Sequence, residues 1–397
     1  MLQPYSFNSA LWIPYLSLIL LALILKPSPY RRLLFLPILP LTAYVLLSTT
    51  GAFNTDYFLG ISWLPLFWFA SDYILLTDVQ RALRQRATLT TTNGTDVDKE
   101  QSIETASIWR RTQWAVALLL SPRGVGWEHE PTTALPARTP AGTSRAAFVA
   151  QSLRRALVYF IIHDACNLHV RWNPMFHADG PGWRADGWAW RAVVVLSWGL
   201  STYTSTILGA TLLAAVCVAC GVSEPAEWPP LLGPLREAYT IRKFWGRVWH
   251  QLMRRFVTTH GKVLAHRVLK LRPGTNSSAY VQLYTAFAIS AALHYAAETM
   301  ALHSWHGGAL VFFMLQACAI TLEDFLIFMG RTYAGIRGGF AMRLVGYAWV
   351  CIWFTLTLPV WEEPLVSAGI MHEGLPVSVL LGLWRGEWVL PPLSVHE

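Results

Sequence analysis

The chain has 397 residues, of which 54% are apolar, 13% aromatic and only 14% charged. Soluble globular domains carry about 25% charged residues, so this composition excludes an ordinary soluble globule and indicates a membrane protein. Lys and Arg outnumber Asp and Glu by 31 to 23, a formal net charge of +8. A basic excess of this kind fits nucleic acid, an anionic membrane surface or an anionic co-substrate, and the positions of the charges decide among them.

Long runs of apolar residues with few charges predict an all-α polytopic membrane protein with a bundle of about seven to nine transmembrane helices. We treat residues 1–397 as a single integral membrane domain. The predicted spans are residues 11–25, 33–47, 57–76, 157–168, 192–220, 279–300, 308–329, 344–360 and 377–390. The fourth is weakened by His163 and Asp164, and the last is interrupted by Arg385 and Glu387.

Stretches rich in Lys and Arg alternate along the chain with stretches that lack them, as the positive-inside rule requires. Most of the positive charge therefore marks the predicted cytosolic side of the membrane. The densest cluster lies in residues 221–275, predicted to be a basic, aromatic cytosolic segment, and residues 78–111 are predicted to form a polar cytosolic loop. The glycosylation triplets at Asn93 and Asn276 also fall on the predicted cytosolic side, where no modification is expected. We expect an integral, multi-pass protein of the endoplasmic reticulum.

The five cysteines lie in or beside apolar stretches, which does not suggest an extracellular disulfide framework. Cys217 and Cys220 form a C-x-x-C pair, but no second pair of Cys or His flanks them, so we expect no metal site and no bound cofactor.

Residues 241–255, IRKFWGRVWHQLMRR, interleave aromatic and basic residues. At helical spacing Trp245, Trp249 and Leu252 form an apolar stripe and the basic residues largely take the remaining arc, which predicts an amphipathic helix at the membrane interface. Two interpretations remain open, a lipid-bound anchor and an element of an active site. His250 favours the second, because an imidazole there can hydrogen-bond or relay a proton.

His294 interrupts an apolar span, in AALHYAAE, and Glu298 follows one helical turn later. An ionisable residue in a membrane helix is costly to insert and is a functional-site candidate by default. A carboxylate one turn away would orient the imidazole as a general base, although a structural His–Glu hydrogen bond is the alternative. The pair supplies only two metal ligands, which disfavours a metal site.

Three further polar positions in apolar runs are weaker candidates. They are Asp72, which we expect to reach the interface, the pair His163 and Asp164, and the pair Glu323 and Asp324, which we expect to pair with basic side chains.

Four islands resemble the wax synthase-type membrane-bound O-acyltransferases, in particular the shorter fungal members that acetylate terpenoid and meroterpenoid natural products. The islands are DYILLTD (72–78), RGVGW (123–127), EWPPLLGPLREAYTIRKFWGRVWHQ (227–251) and ALHYAAE (292–298). The resemblance implies that His294 is catalytic and that His250 is its polar partner. In the family the late histidine often stands in S-G-x-x-H-E, whereas here Tyr295 follows it and the acid is Glu298.

These features predict acyl transfer, most simply of acetyl from acetyl-CoA to a terpenoid hydroxyl, with acyl-CoA as a co-substrate. His294 is the expected base and His250 the group that positions the donor or stabilises the oxyanion. The residues expected to bind substrate are Phe244, Trp245, Arg247, Trp249 and Glu298.

The expected partners are acyl-CoA, a lipophilic alcohol and membrane lipids, with no nucleic acid. The alternatives are a wax ester synthase that joins a long-chain acyl-CoA to a fatty alcohol, a proton-coupled transporter that uses His294, Glu298 and Asp324 as a relay, and a non-catalytic membrane scaffold.

Overall fold

The computed structural model describes residues 4–86, 102–140, 142–336, 338–371 and 376–390, and these residues are mainly helical. The glycosylation triplet at Asn93 lies outside them. In chain order the α-helices are α1 (Trp12–Ile24), α2 (Ile38–Leu46), α3 (Phe53–Ala70), α4 (Val79–Ala82), α5 (Ile108–Leu119), α6 (Arg145–Trp172), α7 (Gly187–Ala219), α8 (Ile241–Lys243), α9 (Arg254–Lys262), α10 (Asn276–Leu302), α11 (Ala309–Thr332), α12 (Phe340–Ser367) and α13 (Val379–Arg385). The two-residue strands β1 (Tyr5–Ser6) and β2 (Ser48–Thr49) pair in parallel.

Four helical stretches in the described part of the chain are long and apolar enough to cross a membrane. They are Phe53–Leu76, Gly187–Ala219, Ala309–Thr332 and Phe340–Ser367. The all-α, membrane-spanning class is thereby confirmed. α6 and α10, with 28 and 27 residues, are roughly 40 Å long at 1.5 Å per residue. The count of seven to nine spans stays a prediction.

Two predicted spans are wrong as continuous membrane helices. In residues 33–47 a 3-10 helix, Pro29–Phe35, gives way to α2, whose nine residues measure about 14 Å, well short of a bilayer core. In residues 377–390 only the seven-residue α13 is helical. Gly386 ends it with a left-handed φ of 78°, and Val377 and Val389 form an antiparallel bridge around it.

The chain divides into two compact units, of which the first comprises Met1–Thr133 and Leu252–Ser304. Its core surrounds Trp63, which is fully buried with its ring centroid 4.2 Å from that of Trp12 and 4.3 Å from that of Tyr15. α10 packs along α3 and α9. Gly60 permits the close approach of α3, because a Cβ there would lie 2.8 Å from the Cα of Ala297.

A buried ion pair links the end of α3 to α9 in the first unit. The helix continues from α3 as a π-helix, Ser71–Leu76, in which Asp72 is 0% exposed. The Asp72 carboxylate accepts hydrogen bonds from Arg255 Nε at 2.9 Å, Thr77 Oγ1 at 2.5 Å and Thr259 Oγ1 at 3.2 Å. The expectation that Asp72 reaches the interface was therefore wrong, because Arg255 brings a counter-charge to it inside the unit.

The second unit comprises Ala134–Gln251 and Trp305–Glu397. α6 and α7 pack along each other, and α12 packs against both α7 and α11. His163 and Asp164 have structural partners here. His163 Nδ1 lies 3.3 Å from the Ser201 carbonyl oxygen, and the Asp164 carboxylate accepts the Leu380 N–H at 2.9 Å in the first turn of α13.

We predict that Gly60→Val lowers the thermal unfolding midpoint in detergent and reduces activity, because the new side chain would push α3 away from Ala297. Overpacking of this kind costs typically about 1–3 kcal/mol. Gly209→Val in α7 is the matched control, since a Cβ at Gly209 meets nothing within 4 Å. Equal midpoints for the two variants would show that the α3–α10 contact is not tight.

Candidate functional site

The site residues of the first unit, His294 and Glu298, lie in the C-terminal third of α10. The helix begins after Thr275, whose Oγ1 accepts the Ser278 N–H at 3.3 Å. His294 is half-buried, between Leu293, which is 1% exposed, and a buried stretch that includes Ala297 and Glu298, both 0% exposed. Since residues four apart share a helix face, the Glu298 carboxyl and the His294 imidazole lie on one side of α10.

The predicted amphipathic helix over residues 241–255 is wrong. α8 ends at Lys243, the backbone widens into a π-helix over Phe244–Val248, and Trp249 is extended with φ −71° and ψ 155°. The next helix, α9, begins at Arg254. Trp249 and Leu252 are therefore not on one helical stripe with Trp245. Short π-helical insertions are rare and are frequent at functional sites.

Three hydrogen bonds to backbone carbonyl oxygens hold this segment where its helix stops. The Gln251 side-chain amide donates to the carbonyl oxygens of Trp245, at 3.1 Å, and Trp249, at 2.6 Å. The Gly233 N–H donates to the Val248 carbonyl at 2.8 Å. A Cβ at Gly233 would lie 2.0 Å from the Arg247 carbonyl oxygen, so only glycine fits there. We call Phe244–His250 the aromatic turn.

Glu323 of α11 anchors the start of the segment that carries the aromatic turn. Its carboxylate accepts the backbone N–H groups of Ile241, at 2.6 Å, and Arg242, at 3.1 Å, as well as the Trp349 indole N–H at 2.9 Å. A carboxylate suits a helix N-terminus, where backbone N–H groups have no helical partner. Glu323 thus binds backbone and an indole rather than a basic side chain.

The neighbouring acid behaves as expected. Asp324 accepts hydrogen bonds from the Arg242 guanidinium, one of them from Nε at 3.1 Å. The predicted pairing with a basic side chain is therefore confirmed for Asp324. The ion pair with Arg242 also occupies the Asp324 carboxylate, which the transporter alternative requires as a proton carrier.

The aromatic turn contains five of the predicted site residues. The rings of Phe244 and Trp249 are stacked at 5.9 Å with an interplanar angle of 17°, and Trp245 meets Phe244 edge-on at 5.2 Å. The His250 ring lies 5.3 Å from that of Trp249. Arg247 is exposed on the same turn. Aromatic faces, an imidazole and an exposed guanidinium are thus presented by seven consecutive residues, whereas His294 and Glu298 belong to the first unit.

The RGVGW island is a tight turn that sequence reasoning left without a role. Gly124 and Gly126 have φ of 67° and 81°, and a Cβ at Gly124 would lie 2.8 Å from His129 Nε2. Glu130 Oε2 accepts the Gly126 N–H at 3.2 Å. Burial, and then the positive charge of Arg255, lower the pKa of His129 to about 4. His129 is therefore a neutral imidazole near neutral pH. The signal in the sequence that could have drawn attention to it is its position just after the two-glycine turn.

Among the described residues no group of three or more His, Cys, Asp or Glu is placed to hold a metal ion.

Comparison with known proteins identifies the class. A model of the membrane bound O-acyl transferase family matches residues 228–315, which include both His250 and His294. The chain is 36% identical to acetyltransferase ple2 of Rhodocybe pseudopiperita over 98% of its own length and 99% of the relative's. It is 35% identical to acetyltransferase eriL of Hericium erinaceus over 91% and 92% of the two chains. A more distant relative is the O-Mevalon transferase macI of Penicillium terrestre, at 28% identity over 69% of this chain and 64% of that one.

The chain belongs to the membrane-bound O-acyltransferase family. It is an integral membrane acyltransferase, similar over almost its whole length to fungal acetyltransferases.

We predict that Glu323→Leu destabilises the second unit by about 1–3 kcal/mol and reduces acyl transfer, because the buried Ile241 N–H, the part-buried Arg242 N–H and an indole lose their acceptor. Asp324→Asn is the matched control, since its exposed ion pair is worth at most about 1 kcal/mol. The thermal midpoint and the transfer rate of each variant, measured in the same detergent, check this. Wild-type values for Glu323→Leu would contradict the anchoring role.

Proposed function

We propose that this enzyme transfers an acetyl group from acetyl-CoA to a hydroxyl of a lipophilic terpenoid or meroterpenoid intermediate in secondary metabolite biosynthesis. The observation that carries the proposal is the aromatic turn, where stacked rings, an imidazole and an exposed guanidinium lie together. The names of the full-length relatives, which are acetyltransferases, support acetyl as the group transferred.

The aromatic turn suits recognition of coenzyme A. An Arg guanidinium forms paired, charge-assisted hydrogen bonds with phosphate oxygens, and Arg247 is exposed and able to reach them. The faces of Phe244, Trp245 and Trp249 can cover the adenine or the pantetheine arm. Because Glu323 fixes the backbone just before the turn, these side chains are held in place before the donor arrives.

His294 is the proposed general base. As the acceptor oxygen attacks the thioester carbonyl, His294 takes the hydroxyl proton. The C–S bond then breaks, the ester leaves, and the proton passes from His294 to the departing CoA thiolate. Glu298, buried one turn away, favours the imidazolium that forms and keeps the ring oriented. This direct transfer uses no acylated Ser or Cys.

His250 is proposed to position the donor and stabilise the oxyanion that develops on the thioester carbonyl. Removing one hydrogen-bond donor from an oxyanion hole typically costs about 2.7–4 kcal/mol of transition-state stabilisation. The ring contact with Trp249 limits the orientations open to this imidazole. The predicted cytosolic orientation of residues 221–275 would give the turn access to acyl-CoA, and a lipophilic acceptor would reach His294 from the bilayer. We propose the endoplasmic reticulum as the membrane.

We predict that His294→Ala lowers kcat for acetyl transfer by at least about 100-fold while the KM for acetyl-CoA changes little, because the base acts on the acceptor hydroxyl. The assay is radiolabelled acetyl transfer by purified protein to a panel of terpenoid alcohols. His303→Asn is the control from the end of the same helix, because Asn tolerates the left-handed φ of 49° found there. A wild-type kcat for His294→Ala would contradict the assignment.

We predict that Arg247→Ala raises the KM for acetyl-CoA about tenfold but leaves the KM for acetyl-pantetheine, which has no phosphates, almost unchanged. The loss corresponds to one charge-assisted hydrogen bond. Arg154→Ala, another exposed arginine of the second unit, is the control. If both donors were affected equally, Arg247 would not contact the phosphates, and if neither were affected the aromatic turn would be a lipid anchor.

A further inference from the structure

Gln316 is a buried polar residue in the N-terminal third of the apolar helix α11, with 0% exposure. Its amide oxygen accepts from the Trp353 indole N–H at 3.1 Å and from the Trp245 indole N–H at 3.5 Å. Its amide nitrogen donates to the Phe312 carbonyl at 3.1 Å and to Thr357 Oγ1 at 3.4 Å. All four hydrogen-bonding positions of the amide are used, and a fully satisfied buried network favours one arrangement of its members.

Gln316 ties Trp245, a member of the aromatic turn, to a packed set of rings. We call Trp245, Phe312, Phe313, Phe354 and Trp361 the aromatic plug. Trp245 lies 6.4 Å from Phe312, 5.8 Å from Phe313 and 6.2 Å from Phe354, centroid to centroid. Phe312 and Phe313 each lie 5.0 Å from Trp361.

Each ring of the plug contacts at least two of the others. Centroid separations of about 4.5–7 Å are those of touching aromatic pairs, so no row of methylene groups passes between these rings. Phe312 is 0% exposed and Phe313 2% exposed, so these two rings lie in the interior of the second unit, and the other three rings of the plug are half-buried. A saturated chain longer than a few carbons could enter this volume only by displacing a ring.

We propose that the aromatic plug limits the acyl donor to short chains and that Gln316, by holding Trp245, is a specificity-determining positioning residue. The inference rests on the proposed function, because it takes the aromatic turn as the donor site. An acetyl group needs no space beyond the turn, whereas a hexanoyl or longer group must extend past Trp245. The chemical class of donor selected is therefore a short-chain acyl-CoA.

The test compares kcat/KM for acetyl-, butyryl-, hexanoyl- and octanoyl-CoA with one accepted alcohol, using purified full-length protein. We expect the wild type to prefer acetyl over hexanoyl by at least tenfold. Phe312→Ala and Gln316→Leu are expected to reduce that preference at least tenfold, the first by removing a ring and the second by releasing Trp245. Phe312→Leu serves if the alanine variant does not fold.

The ratio between donors separates specificity from simple damage, because a structural defect lowers the rate with every donor alike. Phe67→Ala is the matched control. Phe67 packs on Phe35 in the first unit, with their ring centroids 5.5 Å apart, and its substitution is expected to leave the ratio between donors unchanged. Wild-type protein that used hexanoyl-CoA as well as acetyl-CoA, or an unchanged ratio in all plug variants, would overturn the inference alone. Absence of transfer from every donor by the wild type would instead overturn the proposed function, and the inference with it.

Discussion

Polar groups inside an apolar helical protein must find their partners within the chain, and the geometry of the candidate site depends on this constraint. In the second unit the carboxylate of Glu323 accepts hydrogen bonds from two backbone N–H groups just before the aromatic turn. The side-chain amide of Gln251, just after the turn, donates to two of its carbonyl oxygens. Between these anchors the backbone is free to adopt a π-helix, which presents rings, an imidazole and a guanidinium together. The chemistry proposed for the turn therefore follows from hydrogen bonds made by residues without a chemical role.

The same constraint shapes the first unit. The carboxylate of Asp72 is tolerated there because Arg255 and two threonines surround it, and removing one partner of such a buried pair typically costs about 3–5 kcal/mol. Within α3 itself, Gly60 lets the helix lie directly against Ala297 of α10, next to Glu298 in the sequence. The helix that carries His294 is thus fixed by a contact too close for any side chain. A fixed position is what His294 would need in its proposed role as the base.

Local patterns in the sequence were sufficient to predict the class of the protein and the residues that form the aromatic turn. Apolar composition predicted membrane helices, and the FWGRVWH motif predicted the rings and the imidazole that the structure places together. The helix predicted through Trp249 was wrong because the segment depends on distant or side-chain contacts. Its start is held by Glu323, 82 residues from Ile241 along the chain, and its end by the side chain of Gln251. Gln316 was missed for a similar reason, since its partners lie on three separate segments.

The proposed direct transfer of acetyl from acetyl-CoA to a lipophilic alcohol is tested by measuring CoA release and ester formation together, with purified wild-type protein, labelled acetyl-CoA and a panel of terpenoid alcohols. We expect equal amounts of free CoA and labelled ester, with neither formed unless an accepted alcohol is present. CoA release without any alcohol, together with acetyl bound covalently to the protein, would contradict it.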